Sequence, residues 1–339
     1  MDRFFAAELP RPALPHYRLV VISPHLDDAV FSCAARMAAA RREGPVLVVN
    51  VFSRFGKDLK TRGVVLGDHR HAEEAAAAQL LGFETLRLDA LDVSFRDLHY
   101  RALPNIFGPP VAADLAWLSV LRAALGQVLA GVSTDQLLVP LGVGWHVDHL
   151  LMHQLFSDEP VTGTRIAFYE DLPYGLIPHA VRFRMNDLAV TAAGVGADDP
   201  GLLASWAQVS AAFWRTAMVG NLQPWLLRQG AKPVVAVFLL RQMLRHPPVT
   251  GKGQVLSPDV LLLDAQALTL KIRAMQCYGS QFREFFKDGA DCAQQLHDHA
   301  SRMALPAAAA ERIWTPAFAG KGLVEESDTP PARAADAGS

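Results

Sequence analysis

Along its first 170 residues the chain alternates short apolar runs with longer stretches of helical spacing. Arg18–Ile22, Val46–Phe52, Glu84–Leu88, Gln136–Pro140 and Arg165–Tyr169 read as strands. Val46–Phe52 is apolar and β-branched with no polar alternation, as suits a strand buried on both faces. Ala29–Arg42, ended by Gly44 and Pro45, reads as a helix, as does His69–Leu81, opened by Asp68 and closed by Gly82. Ala112–Ala130 predicts a long third helix, and the segment from His149 has helical periodicity. Strand and helix in alternation predict an α/β protein with a Rossmann-like, mostly parallel sheet flanked by helices and wound by right-handed crossovers. Between Asp89 and Pro110 lies a loop of about twenty residues, long enough to cover a site.

The pattern is less regular further on. Val181–Met185 reads as a strand, Pro200–Val219 as a helix and Val260–Cys277 as a helical stretch, so the C-terminal region is expected to be more helical. Residues 1–16, with three prolines, predict a surface arm, and 17–185 a Rossmann-like core. Residues 186–258 read as a variable insertion shaping substrate or partner choice, 259–324 as the part completing the same domain, and 325–339 as a disordered tail. Within 223–248 the apolar run Pro233–Leu240 is flanked by Lys232, Arg241 and Arg245. It is too short to span a bilayer and reads as core or partner packing, with contact at a membrane surface as the alternative.

Composition changes this picture only by exclusion. Hydrophobic residues make up 51% of the 339 and charged ones 19%, which describes a globular protein with ample core. A formal net charge of −2 gives no basic field for nucleic acid. Three cysteines are too few and scattered for a disulfide framework or a zinc ribbon. Met1–Phe5 shows no basic region leading into an apolar run, so a cytoplasmic protein without a transmembrane segment is expected; the sequence does not give the oligomeric state.

Candidate chemistry sits just after two of the predicted strands, where open α/β sheets bind ligands. The first cluster is Pro24-His25-Leu26-Asp27-Asp28 and the second His146-Val147-Asp148-His149. Adjacent carboxylates repel and burial penalises charge, a cost that a divalent cation relieves by binding neutral imidazole and ionised carboxylate together. The first cluster alone reads equally well as Asp27 or Asp28 capping the following helix. Two such clusters suggest three ligands from His and Asp with an open position for water, the pattern of a catalytic zinc site. Asp148 has a capping alternative at the next helix, and Glu170 and Asp171 are either a solvated turn or part of the site wall.

These paired motifs resemble the PIG-L/LmbE superfamily of zinc-dependent N-deacetylases. Arg70-His71-Ala72-Glu73, Tyr169–Tyr174 and Lys271–Gln281 also resemble segments of that family. The resemblance implies that His25, Asp28 and His149 hold Zn2+, with Fe2+ as the alternative metal, and that Asp27 is the general base. It further implies that His146 acts as a protonated donor to the tetrahedral oxyanion, a role worth ~3–4 kcal/mol. Asp148 would then hold the tautomer of His146 and raise its pKa. Arg70, Glu170 and Asp171 are candidates for substrate contact; for Arg70 a salt bridge to Glu73 or Glu74 is the alternative.

The implied reaction is hydrolysis of an N-acetyl group on an amino sugar or glycosylated small molecule. Cleavage of another amide, such as a thiol conjugate, or a sugar-binding or assembly protein with a vestigial site are the alternatives. In one respect the chain departs from the family. Some of its sugar deacetylases have a Tyr two residues before the first His of the second motif, and that position is Gly144 here.

Overall fold

The structure is a computed structural model that describes residues 16–55, 69–101, 103–158, 164–192 and 255–316. The expectations for the N-terminal arm, for Pro200–Val219, for the basic-flanked run in 223–248 and for the tail lie outside these residues.

The main sheet has eight strands: β1 Leu19–Ser23, β2 Val46–Asn50, β3 Glu84–Arg87, β4 Gln136–Pro140, β5 Arg165–Tyr169, β6 Thr191–Ala192, β7 Val255–Leu263 and β8 Ala309–Pro316. The order is β3-β2-β1-β4-β5-β8-β7-β6. The first five strands run parallel, and β8 lies antiparallel between β5 and β7. The longer helices are α1 Asp28–Arg41, α2 His69–Leu81, α3 Ala112–Ala130, α4 Val147–Asp158, α5 Ala180–Asp187, α6 Ala265–Cys277, α7 Gly279–Phe285 and α8 Gly289–Arg302. The segment expected as a loop before α3 holds the short helical turns Val93–Arg96, Leu98–Arg101 and Leu103–Ile106, and another, Tyr174–Leu176, follows β5. A two-residue ladder, His16–Tyr17 with Ser133–Thr134, stands apart from the main sheet.

The period of two along each strand divides the core. Val20 and Ile22 of β1 face one way, with Leu118, Leu121, Leu125 and Val128 of α3 and Leu151 and Leu155 of α4. Leu19 and Val21 face the other way, with α1, α2, α6 and α8. The protein is thus an α/β three-layer structure with both sheet faces covered, which is why its central parallel strands β1, β2, β4 and β5 are mostly apolar, whereas β3 at the edge, Glu-Thr-Leu-Arg, is largely exposed. Helix α3 is long and apolar enough to cross a membrane by length and composition; its stripe at 118, 121, 125 and 128 lies in the core.

Two expected elements differ. Val181–Met185 is not a strand but belongs to α5. Val-Arg-Phe-Arg-Met alternates like a strand, yet Val181, Arg184 and Met185 share a buried helical face, and burial decides. The helical stretch from Val260 is instead strand as far as Leu263, where Val260–Leu263 pair with Arg312–Ala309. Helix α6 begins only after Asp264, whose side chain accepts from the Ala267 N–H at 2.7 Å. The pairing strand β8 carried no signal of its own in the sequence. Its Glu311 is buried and accepts from the N–H groups of Ala35 and Arg36 and from Lys271 Nζ at 2.7 Å. Fully buried Lys271 also donates to the Phe31 carbonyl, so α1, α6 and β8 share one ion pair.

Helix α2 is tied down through Glu74, which accepts from Asn50 Nδ2 at 2.8 Å and Thr85 Oγ1 at 3.1 Å and is bonded to the Tyr278 hydroxyl. Burial outweighs these bonds and raises the Glu74 carboxyl from 4.5 to about 7. A carboxyl raised on folding stabilises the protein fully below its unfolded value, and that contribution is lost as pH rises through about 7. Glu74→Gln mimics the neutral acid. It is expected to match wild type near pH 4.5 and to exceed it by roughly 2–4 kcal/mol above pH 7, measured from urea midpoints at both pH values.

Candidate active site

Strand order reverses between β1 and β4, because β1 leads outward to β2 while the chain later returns to β4 on its other side. At such a switch point the loops beyond the two strands diverge and leave a crevice. His25, Asp27 and Asp28 follow β1, and His146 and His149 follow β4, so the crevice brings both sequence motifs together.

The first motif is not a capping motif. Asp27 precedes α1 but its side chain makes no capping bond, while Ser23 Oγ accepts from the Ala29 N–H at 3.0 Å. Asp28 instead accepts from the His25 backbone N–H at 2.7 Å, which turns its carboxylate back toward the His25 ring. Three donor atoms then converge. Asp28 Oδ2 lies 3.1 Å from His25 Nδ1 and 3.2 Å from His149 Nε2, and the two nitrogens are 3.4 Å apart. Ligands placed about 2.0–2.1 Å from a tetrahedral ion are separated by roughly 3.3–3.4 Å, so this triangle has the size of one face of a zinc coordination sphere. His25, His146 and His149 also form a group able to share an ion.

The far nitrogens of the two converging rings are held by carboxylates. His25 Nε2 meets Asp148 Oδ2 at 3.0 Å, and His149 Nδ1 meets Asp171 Oδ1 at 2.6 Å. Such partners fix ring orientation and leave the inward nitrogens as ligands. Burial opposes charge on either ring, but Asp28 with Asp148 holds His25 well above its usual pKa, and Asp28 with Asp171 raises His149 to about 9. Asp28 is itself buried, yet the two rings hold it well below the carboxylate range. A divalent cation held here would balance the Asp28 charge in place of protons on the imidazoles. The donor set fits such an ion.

Several expected roles are corrected. Asp148 does not hold His146. Its carboxylate lies on His25, and only its backbone N–H reaches His146 Nδ1, at 3.3 Å. For His146, burial and the neighbouring rings of His25 and His149 push the imidazole well below its usual pKa, which runs against the expected protonated donor. With Nδ1 accepting from the Asp148 N–H, the proton of neutral His146 is on Nε2. Arg70 pairs with neither Glu73 nor Glu74. Its Nη2 lies 2.5 Å from Asp27 Oδ1 and the residue is buried, so its guanidinium is engaged by Asp27. Asp171 is taken up by His149 and by the Val143 N–H at 2.8 Å. Glu170 sits against Arg312 Nε at 2.6 Å, Trp314 Nε1 at 2.9 Å and His299 Nε2 at 3.3 Å, anchoring β5 to β8 and α8. Both acids are engaged by partners within the protein.

The loop between β3 and α3 contributes residues that no sequence pattern announced. Asp92 Oδ2 lies 3.7 Å from His25 Nε2, and Arg96 Nη1 is 2.5 Å from Asp148 Oδ1. The Val93 N–H donates to Asp148 Oδ2 at 3.2 Å, so this loop fixes the acid that fixes His25. Against burial, Arg96 and His25 hold Asp148 below the usual carboxylate range.

Comparison with known proteins gives consistent results. Residues 20–158 match the family model for PIG-L, described as GlcNAc-PI de-N-acetylase. Over 172 residues the chain is 31% identical to the 2'-N-acetylparomamine deacetylase of Streptomyces fradiae, a match covering 48% of this chain and 60% of that protein. Among solved structures, the A40926 pseudoaglycone deacetylase Dbv21 is similar with a TM-score of 0.54 at 20% identity, over 89% of this chain and 97% of that one. The zinc-inhibited form of teicoplanin deacetylase Orf2 is similar with a TM-score of 0.56 at 17% identity, over 89% of this chain and 100% of that one. The two motifs, the crevice that joins them and the match to the PIG-L family model all fall in one stretch of chain, residues 20–158.

Proposed function

We propose that the protein is a metal-dependent N-deacetylase that hydrolyses the acetamide of an amino sugar or of a sugar-bearing small molecule. The observation that carries this reading is the triangle of His25 Nδ1, Asp28 Oδ2 and His149 Nε2, with edges of 3.1, 3.2 and 3.4 Å, beside a carboxylate that is not part of it. The deacetylase relative named above supports the reaction, and a donor set of two imidazoles and one carboxylate suits zinc.

His25, Asp28 and His149 would hold the ion, which when bound supplies Lewis acidity toward water and the amide carbonyl. Asp27 takes a proton from the attacking water as the new C–O bond forms. Burial raises the Asp27 carboxyl and makes it a better base, while Arg70 at 2.5 Å counters that rise. His146 Nε2–H donates to the oxygen on which negative charge develops. Asp27 then returns its proton to the departing nitrogen, the C–N bond breaks, and acetate and a free amine leave.

Elemental analysis and acetate release test this reading together. The purified protein is expected to hold about one zinc per chain, the stoichiometry of a single His2Asp site, and to release acetate from N-acetylglucosaminides. Chelation should abolish the release and zinc restore it, and Asp28→Ala should lose both metal and activity. Iron in place of zinc would change the ion but keep the reaction. A zinc-supplied protein with no bound metal would overturn the proposal.

A further inference from the structure

Gly144 has φ +88°, and a Cβ built on it would fall 2.5 Å from Cγ of Tyr174 and 2.6 Å from its Cβ. The space that a side chain at 144 would fill therefore belongs to Tyr174, which comes from the loop after β5. The Tyr174 ring centroid lies 6.0 Å from His149, 5.8 Å from Phe107 and 6.4 Å from Phe285, each edge to face. Phe107 in turn meets His146 edge-on at 5.6 Å. Behind these rings His25, Asp27, Asp28, His146 and His149 are buried, whereas Phe107, Tyr174 and Phe285 are each half-buried.

The tyrosine hydroxyl is the second observation. The chain has five tyrosines. Tyr17, Tyr100, Tyr169 and Tyr278 each place their hydroxyl on a carboxylate or carbonyl. Tyr174 alone has no hydrogen-bond partner among the described residues. An aromatic ring partly open to solvent, with an unengaged donor at its tip and two more rings beside it, has the chemistry of a surface for a flat, hydroxyl-rich ring. The apolar C–H face of a pyranose packs on such rings, and its hydroxyls bond at the edge.

Resting on the deacetylase reading, we propose that Tyr174, with Phe107 and Phe285, forms the wall against which the pyranose ring carrying the acetamide stacks. Tyr174 stands there because residue 144 has no side chain, so the Gly144–Tyr174 pair sets which carrier is accepted.

The test compares two acetamides on the zinc-loaded protein: methyl 2-acetamido-2-deoxy-glucopyranoside, and N-acetylethanolamine, which has the amide without the ring. Tyr174→Ala is expected to raise KM for the glycoside about tenfold, the scale of one lost aromatic contact. It should leave kcat/KM for N-acetylethanolamine and the zinc content unchanged. Tyr174→Phe keeps the ring and isolates the hydroxyl. Tyr174→Leu, which keeps apolar bulk without the aromatic face, should reproduce Tyr174→Ala and serves if that variant folds poorly. Calorimetric binding of both compounds to zinc-loaded Asp27→Asn protein gives the same comparison without turnover. Tenfold weaker binding of the glycoside alone, with no acetate released by wild type, would keep the wall and sink the deacetylase. Equal loss for both acetamides, or no change for either, would overturn the wall.

Discussion

Asp27→Asn is expected to lower kcat for acetamide hydrolysis by ~10²–10⁴-fold, the range for losing a positioned general base, while the protein keeps its bound zinc. The argument rests on what Asp27 does not do. Its side chain makes no helix cap, and it lies outside the triangle that Asp28 makes with His25 and His149. Its one ion-pair partner among the described residues is Arg70, at 2.5 Å. Asparagine keeps the shape and can still meet the guanidinium through its carbonyl oxygen, but it has no lone pair basic enough to take a proton from water. Metal content by elemental analysis and kcat by acetate release, measured on one preparation, separate the base from the ligands. A variant with full metal and full activity would show that the proton goes elsewhere.

The placement of the two motifs was legible because it is local. Each follows a strand whose apolar run marks it, and alternation of strands and helices predicts a parallel sheet with ligands at its carboxyl end. What each acid does there was not legible. Glu170 and Asp171 are neighbours in sequence, yet they leave β5 toward opposite faces as successive residues of an extended chain do. One meets Arg312 and Trp314 and the other meets His149. Asp148 was expected to serve His146 because the two are close in sequence, but only its backbone stays near that ring, and its carboxylate crosses to His25 in the other motif. Arg70 has acids one turn away on its own helix and pairs with Asp27 from a different element. These partnerships span tens of residues and depend on how helices lean over the crevice, which no local pattern encodes. Tyr174 was hidden for the same reason. The sequence shows a missing side chain at Gly144, and only packing shows whose ring takes its place.

Arg96→Met is expected to destabilise the protein by about 3–5 kcal/mol, the cost of leaving a buried charge without its partner. It is also expected to weaken zinc binding by roughly 10–100-fold, as for other groups that orient a metal ligand from behind. The guanidinium lies 2.5 Å from Asp148 Oδ1 and 3.2 Å from Asp114 Oδ1, between the rings of Phe52 at 4.9 Å and Trp117 at 5.3 Å. Methionine fills much of that slot and contacts the rings, so the losses read mainly the charge. Without Arg96, Asp148 is a fully buried carboxylate whose remaining cationic partner is His25, and it becomes easier to protonate. A protonated Asp148 no longer draws the His25 Nε2–H, and the ring is free to turn its Nδ1 away from Asp28. Stability from urea midpoints and zinc affinity from chelator competition should then part company in the double variant Asp148→Asn/Arg96→Met. Removing the Asp148 charge recovers part of the stability, since Asp114 still lacks the guanidinium, whereas the weak neutral acceptor left on His25 keeps zinc affinity low. Recovery of both would make Arg96 a packing residue only, and loss of stability with unchanged zinc affinity would show that His25 is oriented by Asp28 and its own backbone alone.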